Sequence, residues 1–577
     1  MIFGLCACSG AGSSGGGATN TPTPTQAPAA QPTETPVETT TETAVETPVE
    51  TVVETPAEPV VEPEPEEPMK IVEVSLTLFD RGVPAEAGTP EDNATITFLN
   101  EQLNKIGVNI KVYGVVRYDS RTIMNTWIAA GTAPDLLYEY SQPWLYQLYM
   151  QGTLMALDGP IEQYSKEYKA YAQKTADMLA PFIKYDGSTY ALTSLRGVSS
   201  VPVAALWYRK DILDQTSFSG PIDTVEQLIE AARSIKAWDN SMVPFGHSPH
   251  YHNMFRSIYG LTGNWYPDAS GDMVYDIYTQ NYFDYMTTLR LNYQEGLIDQ
   301  EYFTDDNYAR RNQNVITGKT AINVDSWGPP AGFDELYAVD PNVDWIPLGT
   351  VASSYGTFMP TPQLIPYLYL MFTKGMSDEK VEAAFKFVDW LLRAKDDPSP
   401  SPFGNHYNWQ DIARGLEGVH WNFNENGLRQ NEENPATIWV LGGETAVIQD
   451  PPKMQRGELE AEGKNAYERE MFAKREQMLK RLVSLSIVAA GVGYTSDEFS
   501  ELNSNFTPAK TDIETQIITN PNYTVQQGIN ELIAYWESLN GVAIWNKVVE
   551  WGRENKAQNE ATTRAWQAWM NDLASDL

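Results

Sequence analysis

Ile71–Phe79, IVEVSLTLF, alternates apolar and polar residues with the period of two that marks a half-buried strand. Ala94–Ile106 then sets Ile96, Leu99 and Leu103 on one helical face and closes on Gly107, and Val108–Val116, VNIKVYGVV, has the strand period again. Ser120–Ala130 is helical in pattern, and Pro134–Tyr138, PDLLY, is a short third strand. This β-α-β-α-β order predicts an α/β fold with a mainly parallel sheet and helices on both of its faces. Right-handed crossovers bring the carboxyl ends of such strands to one edge, where a ligand is expected.

Downstream, the pattern predicts a second α/β unit. Val201–Tyr208 is a strand, and Thr224 with Gln227 forms a capping box for a helix whose buried face carries Leu228, Ala231 and Ile235. A helix over Tyr282–Glu295 stops at Gly296, and strands follow at Ala321–Trp327 and Val343–Leu348. Ser377 caps a helix with the stripe Val381, Ala384, Phe385, Val388 and Leu391. The C-terminal part is helix-rich, including a charged stretch over 458–483 with Tyr467, Met471, Met478 and Leu482 facing inward.

The start of the chain is of another kind. Its two cysteines are Cys6 and Cys8, in the sequence LCAC at Leu5–Cys8, which is similar to the lipobox of bacterial lipoproteins. That likeness implies a diacylglyceryl group on Cys8. The apolar stretch before it, MIFGLCA, has no positive flank and is short for a signal peptide, so residues 1–8 are expected to be a truncated one. Residues 9–68 are expected to form a disordered Thr/Pro/Glu-rich tether. From Gln31 to Pro68 they hold eleven glutamates, no basic residue and no aromatic ring, too little apolar surface to offset the entropy of ordering.

Of the net charge of −36, −25 remains on residues 69–577. That excess argues against nucleic-acid partners, which require clustered Lys and Arg. The lack of cysteine beyond Cys8 removes disulfides, thiolate catalysis and cysteine–zinc sites. No run of about twenty apolar residues is present, so no membrane-spanning helix is expected.

Several segments, taken in order, resemble a family. They are GTAPDLLY at Gly131, LMALDGPIEQY at Leu154, YDGSTYAL at Tyr185, LWYRKDILD at Leu206, PIDTVEQLIEAARSI at Pro221, NYQEGLIDQEYFT at Asn292, ITGKTAINVDSWGP at Ile316 and GLEGVHWNFNENG at Gly415. Their sequence is similar to that of extracellular solute-binding lipoproteins of bacterial ABC importers, the carbohydrate-type group with a maltose-binding-protein-like fold. The resemblance implies a two-lobed periplasmic-binding-protein-like fold (type II) over 69–577. Lobe one would take about 69–200 and 365–445, and lobe two about 205–360 and 450–577. It also implies a lipid-anchored monomer on the outer side of the cell membrane, no catalysis, and delivery of an oligosaccharide or other small solute to permease subunits.

Sugars are held by aromatic faces and directional hydrogen bonds, so aromatics outside periodic segments are the candidates. Trp144 follows the PDLLY strand, Trp265 and Tyr266 lie in a polar stretch expected to be a loop, and Trp327 follows AINVDS directly. Tyr190 and Arg196 flank an expected crossing between lobes, and Trp421 ends GLEGVHW. Trp127, Trp390, Trp545 and Trp551 fall on helical stripes and are expected in the core. His247, His250 and His252 form H-x-x-H-x-H in an expected loop, but no flanking carboxylate completes a metal set, so neither metal nor cofactor is expected. A surface sensor or adhesin on the same fold, or a secreted carbohydrate-active enzyme, stays open. Residues 69–577 contain no G-x-S-x-G and no H-E-x-x-H, while 65 acids leave a carboxylate pair conceivable.

Overall fold

The strand expected at Ile71–Phe79 forms at Val72–Asp80 (β1) in the computed structural model, and those expected next form at Val108–Val116 (β2) and Leu136–Glu139 (β3). The structure describes residues 69–82, 88–195, 204–261 except 248, 265–305 except 269, 309–325, 330, 332–360, 366–392, 421–423, 429–431, 466–485, 494 and 496–575. Cys8, Arg196 and Trp327 lie outside them, as do the side chains of Trp265, Tyr266 and Trp421. Contacts divide the chain after Glu67, and the two lobes belong to the unit Pro68–Leu577.

β1 runs parallel to β2 from Val72 opposite Val108 to Asp80 opposite Val116, and parallel to β3 through Leu76 opposite Leu136. The helix Ala94–Asn104 crosses between β1 and β2 and starts at Asn93, whose side-chain oxygen accepts from the backbone N–H groups of Thr95 and Ile96. Its Asn100 then exchanges both amide hydrogen bonds with the backbone of Ile110 on β2, the edge strand, which blunts an edge that would otherwise offer unpaired groups. Two further strands complete a five-stranded sheet. Pro366–Phe372 lies antiparallel between β3 and Leu192–Leu195, so the sheet is mixed.

The second sheet has four strands, in the order Trp345–Gly349, Ala205–Arg209, Ile322–Asp325, Phe245–Gly246. Ala205–Arg209 is antiparallel to both of its neighbours, and the last pair is parallel. The capping box at Thr224 and Gln227 forms as expected and starts the helix Val225–Trp238. Each sheet has its own core. Phe79, Leu99, Leu136, Leu370 and Phe385 belong to one, while Leu206, Leu228, Phe255, Tyr282 and Trp536 belong to the other. At roughly 1.5–3 kcal/mol for each large apolar side chain, such burial dominates the stabilisation of either lobe.

The helix Ala466–Val483 serves both lobes. Met471, Met478 and Leu482 pack with Trp207 and Trp345 of the second sheet, whereas Leu479 and Val483 join the first core. The last helix, Lys556–Ser575, departs from the expected lobe boundary. Its Trp566 and Met570 lie in the first core, and it packs on Ala176–Ile183. The assignment of all of 450–577 to lobe two is therefore corrected. No described helix is long and apolar enough to cross a membrane.

Candidate functional site

The carboxyl ends of β1, β2, β3 and Leu192–Leu195 all reach one edge of the first sheet, where Pro366–Phe372 begins. From Leu195 the chain leaves for Ala205 in the second sheet, and at Pro366 it returns from there. The edge that gathers the parallel strand ends is thus also the edge from which the crossings depart. In the second sheet, the crossing enters at Ala205, opposite Asp325, and Gly246 and Gly349 end at that same side. His247 follows Gly246 directly, and Trp327 comes two residues after Asp325.

Aromatic rings and guanidinium groups cluster at the first edge. Phe79, next to last in β1, stacks on Tyr140, just past β3, at 5.7 Å between centroids. Tyr367, at the start of its strand, meets Tyr140 edge-on at 5.8 Å. Arg117, directly after β2, has its Cζ 5.6 Å from the Phe79 ring, 5.4 Å from that of Tyr140 and 5.9 Å from that of Tyr118. Arg81 sits 5.8 Å from the same Phe79 ring. Tyr118 is 93% exposed, an open aromatic face at a strand end. Glu139 is buried there and satisfied locally, accepting from the Ser120 hydroxyl at 2.9 Å and the Tyr140 N–H at 2.7 Å. The Trp-centred reading of the sequence missed this group, although Arg117 and Tyr118 directly follow VNIKVYGVV, where a ligand edge is expected.

Two expected candidates are placed elsewhere. Trp144 is not on a loop. It lies in the helix Gln142–Met150, 3% exposed within the first core, and its Nε1 donates to Asn125 Oδ1 at 3.0 Å. Ser141 caps this helix and Pro143 sits in its first turn, so the chain turns helical right after the strand. Tyr190 lies at the amino end of Leu192–Leu195, away from the carboxyl edge, with its ring 4.7 Å from Tyr149 and 6.4 Å from Tyr185. Trp265 and Tyr266 are on a strand, Trp265–Pro267, in a hairpin with Met273–Tyr275 rather than in a loop. Trp421 opens the strand Trp421–Phe423, paired with Arg429–Asn431.

The histidines are also differently arranged. His250 and His252 fall on the helix Pro249–Ile258. His247 packs its ring 3.9 Å from Tyr302 and 5.2 Å from His252, and burial together with His252 pushes its pKa down to about 2, so it is neutral. Burial likewise lowers His252, whose Nδ1 lies 3.3 Å from the Tyr285 hydroxyl. Among the described residues no group of three or more His, Cys, Asp or Glu is placed to hold a metal ion. Behind the histidines, Asp276 accepts from Arg256 at 2.6 Å and from Lys510 at 3.0 Å. Burial pushes the Asp276 carboxyl up, but the two cations more than reverse it and hold it below the ordinary carboxylate range.

No protein-family model matches the chain, and no curated protein sequence matches it either. Solved structures do. The fold is similar to that of the alginate-binding protein AlgQ2 without calcium ion, with a TM-score of 0.61 and 16% identity over 83% of this chain and 98% of that one. It is similar to the S. pneumoniae ABC-transporter substrate binding protein FusA in complex with kestose, with a TM-score of 0.60 and 14% identity over 86% of this chain and 100% of that one. An extracellular solute-binding protein from Bifidobacterium longum subsp. infantis gives a TM-score of 0.60 and 16% identity over 88% of this chain and 98% of the other. Identity this low speaks to architecture alone, and the architecture is plain: the chain has the two-lobed α/β fold of the extracellular solute-binding proteins of ABC transporters.

Proposed function

We propose that this protein captures an oligosaccharide between its two lobes, outside the cell, and hands it to the permease subunits of an ABC importer without chemical change. The observation that carries the reading is the exposed Tyr118 beside caged Arg117, at the edge from which both crossings depart. Hinge closure over such an edge would bury a sugar face on the ring. Neighbours that share the fold are named as binding alginate or kestose, which supports a sugar as the solute. Arg196 and Trp327, one and two residues past strand ends at these edges, belong to the proposed set, with Trp265, Tyr266 and Trp421.

A thermal-shift and tryptophan-fluorescence panel of oligosaccharides tests this, because stabilisation tracks occupancy of the folded state. Tyr118→Ala should weaken binding of a hit by about 1–2 kcal/mol, the scale of one aromatic face, while the ligand-free melting temperature stays put. A panel with no hit, alongside a hit among peptides, would sink the sugar reading.

Anchoring through Cys8 is part of the same proposal. Expressed behind a complete lipoprotein signal peptide, Cys8→Ser should move the protein from the membrane fraction to the medium or periplasm. A variant that stays membrane-bound as firmly as the wild type removes Cys8 as the anchor.

A further inference from the structure

The edge chemistry narrows the solute. We propose, resting on the oligosaccharide reading above, that the ligand is acidic: an oligosaccharide bearing carboxylate or sulfate, whose anionic group is taken by Arg117.

The chain is poor in bases, 40 against 76 acids, and several of its arginines are paired with carboxylates. Arg209 pairs with Asp211, Arg233 with Glu295, Arg310 with Asp299 and Arg553 with Asp272. Arg117 differs. Among the described residues it makes no ion pair and no hydrogen bond, and its guanidinium is held by the rings of Phe79, Tyr118 and Tyr140 alone. Contact with ring faces fixes the plane of a guanidinium without using its N–H groups, which remain as a fork that matches a carboxylate or sulfate.

Two neighbouring carboxylates are engaged elsewhere. Glu139 is committed to Ser120 and the Tyr140 N–H, and Asp80 accepts from the Gly82 N–H at 2.8 Å. Arg81 over the same Phe79 ring adds a second positive charge. The global charge of −36 does not oppose this, since charges more than about 8 Å away are largely screened at physiological salt. In a chain so rich in acids, a partly exposed arginine that forms no ion pair with any described carboxylate is a place kept for an anion from outside.

The test uses the full chain and paired probes. Oligogalacturonate and oligomannuronate are compared with their methyl esters, and a sulfated oligosaccharide with its desulfated form, by calorimetry on wild type, Arg117→Gln and Arg117→Lys. The expected result is tighter binding of an anionic member than of its neutral twin, weakened by added salt. Arg117→Gln should lose roughly ten- to a hundredfold for the anionic member and little for the neutral one, with Arg117→Lys in between. The uronate and sulfate arms distinguish the two anionic groups. Unchanged ligand-free melting temperatures confirm that the variants fold. Equal binding of charged and neutral twins, or indifference to Arg117→Gln, overturns the acidic assignment and leaves the oligosaccharide reading standing. Silence of every charged and neutral probe removes both.

Discussion

Asp276→Ala should cost about 3–5 kcal/mol of unfolding free energy at neutral pH, because it strands two cations in the second lobe. Asp276 is fully buried in the turn after Met273–Tyr275. Arg256 reaches it from the helix Pro249–Ile258, and Lys510 from the helix Asp497–Thr519, with its Nζ 5.0 Å from the Tyr282 ring. The pairing gains little over an apolar substitute, yet losing Asp276 leaves Arg256 and Lys510 desolvated without their main counter-charge. Asp276→Asn should therefore lose nearly as much while keeping the shape, and Lys510→Met in the Asp276→Ala background should restore part of it. The acid limb carries both groups with the same sign but in different pH windows. The Asp276 carboxyl is depressed in the fold, so its contribution is complete above the unfolded value near pH 4 and is lost as pH falls through the lower folded value. His247 and His252 are also depressed, so the unfolded chain binds their protons first and stability declines from about pH 6.5 downward, by up to about 1.4 kcal/mol per pH unit for each. Urea unfolding from pH 7 to about 2 spans both windows. A loss below about 1 kcal/mol in both Asp276 variants would show that the network is not the strut its burial implies.

Why the sequence disclosed some of this and hid the rest follows from how local each signal is. β1, β2 and the helix between them were legible because alternation and helical spacing are written within nine to thirteen residues. The Thr224 capping box was legible for the same reason. The strand Pro366–Phe372 was not assigned, since PYLYLMF is a continuous apolar run that suits a buried strand or helix alike, and only its pairing with β3 and Leu192–Leu195 decides. Trp144 was misplaced although Ser141 and Pro143 mark a helix start. Trp265 and Tyr266 were misplaced although the Asp268–Asp272 turn between aromatic runs marks a hairpin. Arg117 and Tyr118 were overlooked because Trp was weighted above position. The triad of Arg256, Asp276 and Lys510 depends on a lysine 234 positions from Asp276 and leaves no local trace.

Trp566→Ala tests the correction at the C-terminus, with an expected loss of about 3–5 kcal/mol. Trp566 is 2% exposed, and Met570, one turn on, is wholly buried beside it in the first core. The helix that carries them is fastened at both ends of the contact. The Thr562 hydroxyl donates to the Asp177 carbonyl at 2.9 Å, and Gln567 Nε2 donates to the Val483 carbonyl at 2.5 Å. Deleting the indole therefore opens a cavity that a helix held on two sides cannot collapse to fill, the condition under which large-to-small changes cost most. The loss should fall on the first lobe, so calorimetry that resolves two transitions should move the one that also responds to Trp390→Ala, another first-core position. A shift confined to the transition that responds to Trp536→Ala would return the last helix to lobe two. Tyr118→Ala, exposed and outside both cores, should stay within about 0.5 kcal/mol of wild type in the same experiment. That contrast separates the aromatics that hold the fold from the one available to a ligand.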